Sequence, residues 1–345
     1  MSPTVPPRVT VLLPVFNGGP HLGPAITSIL GQTMTDFELL VLDDGSTDGS
    51  DRMARSYPDP RIRVIGNARQ RGLTTTLNLG LREARAELIA RQDADDVSAP
   101  SRLELQVAEM ARRPDLALLG AQAVMIDDAG RYAGDIARGC DHDTIRWELL
   151  FDNAFVHSSV MFRRSVVVDA LGGYDEGFRY CQDYELWCRL VRRYRAANLG
   201  EVLVQCRTHA RSMTATGGFE NVRESEAAVA ANIRATLGEA IEASDVPTAL
   251  QLRIGLRRAQ AARFAEVFER MLRAYQRLRP GVAESPDFRQ SVARQLVTAL
   301  RASRLGSLSV VRRALAAEAE GFPVLRQSVR EVAAWFRTRA PAGPR

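Results

Sequence analysis

Residues 87–100 read ELIARQDADDVSAP: a short apolar run, Leu88–Ala90, followed by three aspartates within four positions, Asp93, Asp95 and Asp96. Carboxylates this close repel one another, so keeping all of them ionised costs free energy. A solvated turn is one explanation, because Asp is a common turn residue. A divalent cation that neutralises the cluster is the other. The spacing does not choose between them, but the flanking sequence bears on the choice.

Upstream, the chain alternates. Arg8–Phe16 (RVTVLLPVF) is a run of the buried-strand type, and His21–Thr33 carries Leu22, Ile26, Ile29 and Leu30 at helical spacing. FELLVLDDGS (37–46) is a second strand running into a polar turn, followed by a helix whose first turn Thr47 or Asp48 can cap. IRVIG (62–66), TTTLNLGLREA (74–84), ELIARQ (87–92), PSRLELQVAEMARR (100–113) and LALLGAQAVMI (116–126) continue as strand, helix, strand, helix and strand, with Pro100 near the start of its helix. Strands separated by helices of roughly 10–15 residues indicate βαβ units and an α/β fold with a mostly parallel sheet. Such sheets bind ligands beyond the carboxyl ends of their strands. PVFN (14–17), DDGS (43–46) and QDADD (92–96) all fall at that edge, which favours a ligand over a bare turn. No Gly-x-Gly-x-x-Gly turn is present, so a dinucleotide fold is disfavoured.

Beyond residue 127 the pattern weakens, and 128–156 reads as irregular. HSSVMFRR (157–164) resumes as a strand, GGYDEGF (172–178) is a glycine-hinged loop, and CQDYELWCRLVRRY (181–194) is an amphipathic helix with Trp187 in its core face. LVQCRTHARS (203–212) closes this part. From about residue 220 the sequence is helical, over 249–279, 288–305 and 324–339, broken at Pro280 and Gly321–Pro323. The expected division is 1–220 (a donor half at about 8–127 and an acceptor half at 128–220), a helical region 221–340, and a disordered tail 341–345.

Composition narrows the chemistry. Hydrophobic residues at 46% and charged residues at 25% are ordinary for a globular chain. All 46 basic residues are arginine, which removes Schiff-base lysines and the Walker phosphate loop. Residues 221–345 hold 21 arginines against 12 acids, so the +5 net charge leaves the preceding part negative by about four. Cys140, Cys181, Cys188 and Cys206 have no paired metal spacing, and no signal peptide is evident, so reduced thiols and a cytoplasmic location are expected. No apolar stretch approaches the ~20 residues that span a bilayer.

VTVLLPVFNGGPHLGPAITSILGQT, FELLVLDDGSTDGS, NARQRGLTTTLNLGL, ARQDADDVSAPSRLELQ, HSSVMFRR, GGYDE and CQDYELWCRL stand in the order and spacing of the family 2 glycosyltransferases, which have a GT-A fold. The chain resembles that family over about residues 8–212. The resemblance implies an inverting transfer of sugar from a nucleoside-diphosphate sugar (UDP, TDP or GDP) to a hydroxyl of a polysaccharide, lipid-linked or cell-surface precursor. It also implies Mn²⁺ or Mg²⁺, hard ions suited to carboxylate and phosphate oxygens.

Carried over residue by residue, the resemblance puts Asp93 near the donor ribose and makes Asp95 the metal ligand. Asp96 either assists through water or caps the following turn. Pro14, Val15 and Phe16 form one wall of the base pocket, with Asn17 and Gly72 shaping the loops beside it. Of Asp43 and Asp44, Asp44 is the expected base contact, and Asp43 has the alternative of capping the helix that follows in STDGS. Arg71 is a candidate for base or phosphate. His209, in an Arg-x-His-x-x-Ser pattern with Arg207 and Ser212, is expected near metal or diphosphate. His157, Gly173 and Tyr174 belong to the acceptor side. Asp183 is the expected catalytic base, against the alternative of a helix N-cap.

Two rivals follow from the same residues: a phosphoryl- or nucleotidyl-transferring enzyme, disfavoured by the missing lysine and glycine-rich loop, and a catalytically silent binding module working through its C-terminal helices. Nucleic acid is not an expected partner, since the basic surplus lies on apolar-striped helices with few aromatics. The stripe Leu252, Leu256, Phe264, Phe268 and Leu272 fits packing, on the rest of the chain or a second copy, ahead of peripheral contact with anionic lipid.

Overall fold

Strands covered on both faces read as unbroken apolar runs. In the computed structural model, which describes residues 6–209, 212, 218–238, 246 and 258–302, β1 (Val9–Val15) and β2 (Phe37–Asp43) are buried along their whole length. β1 lies parallel to β2 on one side and to β4 (Leu88–Arg91) on the other, and β3 (Ile62–Gly66) extends the parallel set beyond β2. β1 and β2 end together at Val15 and Asp43, whereas β4 ends three residues earlier, with Arg91 opposite Leu12. The aspartates after β4 therefore sit beside the end of β1. The Gln92 N–H still donates to Leu12 O at 2.9 Å, so the first step past the strand keeps the register.

Helices α1 (Leu22–Leu30), α2 (Ser50–Arg55), α3 (Leu73–Glu83) and α4 (Arg102–Arg112) connect and cover these strands. α2 differs from expectation in its start. Gly49, at φ 94°, occupies the N-cap position, while Asp48 Oδ1 accepts the Ser50 N–H at 3.0 Å and Thr47 turns away to bond Asn17.

The second half of the sheet is mixed. β8 (Met161–Arg163) runs antiparallel between β4 and β6 (Leu116–Ile126), β9 (Arg195–Arg207) pairs parallel with β6, and β5 (Val97–Ser98) pairs antiparallel with β9. The order is β3-β2-β1-β4-β8-β6-β9-β5. Two elements correct the irregular reading of 128–156: strand β7 (Tyr132–Ile136), antiparallel to β6, and helix α5 (His142–Glu148). HSSVMFRR is likewise a 3₁₀ turn, His157–Ser159, before β8 begins. Helix α6 (Gln182–Arg193) buries Trp187 as expected.

Contacts divide the chain into two units, 1–142 with 153–224, and 143–152 with 225–345. The first holds the sheet. The second holds α5 from its residue 143, α7 from its residue 225 onward (α7 is Gly218–Leu237), α8 (Arg258–Leu278) and α9 (Pro286–Ala302). Trp147 is the centre of this unit, with the rings of Phe151, Phe268, Tyr275 and Phe288 at 4.9–5.5 Å. Phe268 and Leu272 of the apolar stripe are buried. Leu252, Leu256, the expected 324–339 helix and the 341–345 tail lie outside the described residues, as does the side chain of Phe264. No helix among the described residues is long and apolar enough to cross a membrane.

Candidate active site

The aspartate loop is held from below by buried polar side chains. Arg102 of α4 donates to Arg91 O (2.7 Å), Val160 O (3.2 Å), Gln92 Oε1 (2.9 Å) and Ser98 Oγ (2.9 Å). Burial and the like charge of Arg91 pull its pKa down to about 9. Gln92 Nε2 in turn donates to Asp96 O at 2.8 Å, closing the turn. These bonds satisfy groups that would otherwise be costly in the interior, and they fix where the three carboxylates point.

Ligand atoms of Asp93, Asp95 and Asp96 lie within 4.8 Å of one another. Their protonation is divided by their neighbours. Burial pushes Asp93 up, but the paired Arg91 guanidinium and the Ser158 hydroxyl (Oγ to Oδ2, 2.7 Å) more than reverse this and hold it below the usual carboxylate range. Asp95 is raised, by burial and then by the Asp93 charge. Asp96 is raised to about 7, by burial and then by Asp93 and Asp95. One arginine thus keeps Asp93 ionised while its two neighbours carry the repulsion. The expected water-mediated or capping role of Asp96 resolves locally into Oδ1 accepting the Arg207 N–H at 2.8 Å.

Arg207 also donates through Nε to Asp95 O (3.1 Å) and through Nη1 to Asp127 O and Asp128 O (both 3.0 Å), pinning the aspartate loop to the β6–β7 turn. Two residues on, His209 Nε2 is hydrogen-bonded to Asp95 Oδ2 at 2.9 Å. Its ring lies 5.4 Å from that of His21, whose Nε2 meets Asp128 Oδ1 at 3.0 Å.

A cavity of about 500 Å³ opens between this cluster and the ends of β1 and β2. Pro14, Val15, Phe16, Asn17, Asp44, Gly72, Asp93, Asp95 and His209 all line it, so most of the residues expected at the donor side come together. Asn17 has a left-handed φ of 53°, a conformation that Asn tolerates better than most residues, and its Oδ1 accepts the Thr47 N–H at 2.9 Å. Asp44 Oδ1 accepts from Arg71 N (2.9 Å), Asn67 Nδ2 (2.8 Å) and Thr76 Oγ1 (2.8 Å), and Oδ2 accepts from Gly72 N (2.8 Å). Of the two oxygens Oδ2 carries the lighter load, one bond against three on Oδ1. Gly72, at φ 94° and ψ 155°, takes a conformation nearly confined to glycine.

Two expected donor residues fall elsewhere. Asp43 accepts from the N–H groups of Gly45 (3.2 Å) and Ser46 (3.1 Å), ahead of α2, and does not line the cavity, so its contacts match neither the base contact nor the helix cap expected of it. Arg71 reaches Asp44 through its backbone, and its side chain is exposed.

A second cavity, of about 310 Å³, shares Asp93 and Asp95 and runs on to His157 and Asp183. Asp183 is itself part of the cavity lining, with its side chain 15% exposed. Its Oδ2 accepts from Asn153 Nδ2 (2.8 Å) and its Oδ1 from the Tyr184 N–H (2.8 Å). Burial raises its pKa to about 6 against these bonds and the positive charge of Arg91. The N-cap alternative does not describe it: Cys181 holds that position and α6 has no side-chain cap of its own. His157 Nδ1 is 3.8 Å from Asp183 Oδ2, and its Nε2 is 3.2 Å from Tyr174 Oη. Burial, then Arg91, push the His157 pKa well down, so the ring is neutral. Gly173 and the body of Tyr174 line a different hollow of about 710 Å³, behind α3, which contains none of the three aspartates.

Arg91, Ser158, Asn153, Tyr180 and His21 were not singled out from sequence. An arginine ending an apolar strand one residue short of an aspartate cluster was the available signal for Arg91. Ser158, Asn153 and His21 act through hydrogen-bond partners 30 to 107 positions away, and Tyr180 lines both cavities.

A βαβ sheet whose strand ends carry an aspartate cluster, a cleft above β1 and β2, and a buried carboxylate across from it defines a GT-A-type transferase. The family described as Glycosyl transferase family 2 matches residues 10–170. The putative glycosyltransferase EpsE of Bacillus subtilis is 33% identical over 58% of this chain and 73% of its own length. The O-antigen biosynthesis glycosyltransferase WbnJ of Escherichia coli is 31% identical over 61% of this chain and 84% of its own. Among solved structures, S. aureus TarS 1–349 in complex with UDP-GlcNAc superposes with a TM-score of 0.56 at 15% identity, over 95% of this chain and 92% of that one, a likeness of fold. The chain belongs to glycosyltransferase family 2.

Proposed function

We propose that the chain transfers a sugar from a nucleoside-diphosphate sugar to a glycan or lipid-linked hydroxyl, with inversion at the anomeric carbon. The observation that carries this reading is the pair of adjoining cavities, one bounded by Asp44 and the aspartate cluster and the other by Asp183. The base sits between Pro14–Phe16 and Gly72, with Asp44 Oδ2 accepting an N–H from it. Asp93, kept ionised by Arg91, receives hydroxyls of the ribose. The UDP-GlcNAc complex of TarS supports a nucleotide sugar, and the O-antigen role of WbnJ supports a surface polysaccharide precursor. Such an acceptor suits a cytoplasmic protein working at the inner membrane face.

The carboxylates suit a divalent cation, because burial leaves Asp96 titrating at about 7 and Asp95 raised, a repulsion that a dication relieves. Asp95 and His209 would hold Mn²⁺ or Mg²⁺, which supplies positive charge against the departing diphosphate. On the other side, Asp183 takes the proton of the acceptor hydroxyl as that oxygen attacks the anomeric carbon, and the carbon–diphosphate bond breaks on the opposite face. A base with a pKa near 6 is ionised at neutral pH yet still a useful proton acceptor. Neutral His157, fixed by Tyr174, shapes the acceptor side without competing for the proton.

Calorimetry tests the donor half. UDP, TDP and GDP sugars should bind better with Mn²⁺ than without, and Asp95→Ala should abolish the difference while circular dichroism stays unchanged. Equal binding with and without Mn²⁺ in the wild type would remove the cation from this account.

A further inference from the structure

Helix α7 begins just past the stretch that resembles the family, yet its first turns complete the acceptor cavity. Residues 218–224 fall within the first unit. The Glu224 carboxylate accepts hydrogen bonds from three successive backbone N–H groups: Arg179 (3.0 and 3.1 Å to its two oxygens), Tyr180 (2.7 Å) and Cys181 (3.1 Å). These groups lead into α6, where a helix start leaves its N–H groups without intrahelical partners. α6 supplies no side-chain cap of its own, so the cap comes from 43 positions down the chain. A negative charge is well matched to that end of a helix. One turn before Glu224, Asn221 lines the same cavity as Asp183, and Cys181 Sγ donates to its Oδ1 at 3.3 Å.

The clamped run matters because of what it carries. Tyr180 and Gln182 are cavity walls, and Asp183 follows Cys181 by two residues. The other end of this loop is held separately by α3: Thr74 Oγ1 donates to Phe178 O (2.7 Å), and Asn78 bonds both backbone groups of Tyr174 (2.9 Å each). Removing Glu224 therefore frees one end of the loop and leaves the other anchored.

We propose that Glu224 is a positioning residue for the transfer. Resting on the assignment of Asp183 as base, it sets the height of that carboxylate above the acceptor hydroxyl through the backbone of residues 179–181. A misplacement of about 1 Å in such a geometry costs on the order of a hundredfold in rate.

The test uses the full-length chain with Glu224→Ala and Glu224→Gln, read by amide hydrogen exchange without ligand and by nucleotide-sugar hydrolysis, in which water takes the acceptor place. Gln keeps one accepting oxygen, so it should fall between wild type and Ala in both readouts. In Glu224→Ala, exchange at Arg179–Cys181 should accelerate while Arg71 and Gly72 stay protected, and kcat should fall at least about tenfold with donor KM within about threefold. Faster exchange with unchanged kcat would make Glu224 a structural cap and overturn the proposal, as would unchanged exchange. A wild type that hydrolyses no nucleotide sugar fails at the level of the proposed function, and is distinguishable because exchange still reports the clamp.

Discussion

A buried carboxylate is useful as a base only if its environment leaves it ionised at the working pH, and Asp183 is balanced at that point. Burial raises its pKa to about 6, while the Tyr184 N–H and then the Arg91 charge act in the other direction. For stability the sign is the reverse of the usual carboxylate. The folded pKa lies above the unfolded one, so its ionisation removes stability as pH rises from about 4 to about 6. For the proposed transfer the sign is favourable, since the ionised form is the one that accepts the proton. With saturating Mn²⁺ to suppress titration at Asp95 and Asp96, kcat/KM for the acceptor should halve near pH 6. Below that it should drop about tenfold per pH unit, as for loss of one essential base. A profile that stays flat to pH 4.5 would show that no group with this pKa carries the proton.

At the scale of elements, α3 ties the two cavities together, and its seat depends on one missing side chain. A Cβ on Gly80 would lie 2.4 Å from Leu42 Cδ1 and 3.2 Å from Leu12 Cδ2. The helix thus approaches β1 and β2 closely enough for Thr76 to reach Asp44 at one end and Asn78 to reach Tyr174 further along. Gly80→Leu should cost about 1–3 kcal/mol by overpacking, seen as a lower urea midpoint, and should weaken nucleotide binding as the Asp44 bonds lengthen. An unchanged midpoint would mean that the helix is not seated by this contact. The same scale explains what the sequence could and could not disclose. β1, β2 and β4 were legible because burial on both faces makes them continuous apolar runs. β7 was not, because five half-exposed or exposed edge residues leave no alternation to read. α5 was hidden for a different reason: it is only seven residues long, and three of the four ring partners of Trp147 lie at positions 268–288, far along the chain. In the site, Asp93, Asp95 and Asp183 were legible from motif order. Ser158, Asn153 and Glu224 were not, since each acts through contacts 30 or more positions away that leave no local pattern.

Across the whole molecule, charge and cavities point the same way. The part before residue 221 is net negative, yet the donor proposed for it is a polyanion. Arg91 is spent on Asp93, and Arg207 donates to the aspartate loop and the β6–β7 turn. Arg179 is the arginine that lines the donor cavity, and the cation proposed for the aspartate cluster would add to it as counter-charge for the diphosphate. The two cavities share Asp93 and Asp95, and in the proposed transfer this gives donor and acceptor one meeting point, with the base on a different element from the groups that hold the donor. This separation is the central claim, and one variant tests it. Asp183→Asn keeps the size of the side chain and one accepting oxygen but cannot take a proton. Transfer should fall by about 10²–10⁴-fold, as for a lost general base, while calorimetric affinity for the nucleotide sugar with Mn²⁺ stays within about twofold of wild type. Normal transfer by Asp183→Asn, or loss of donor binding together with transfer, would contradict the account.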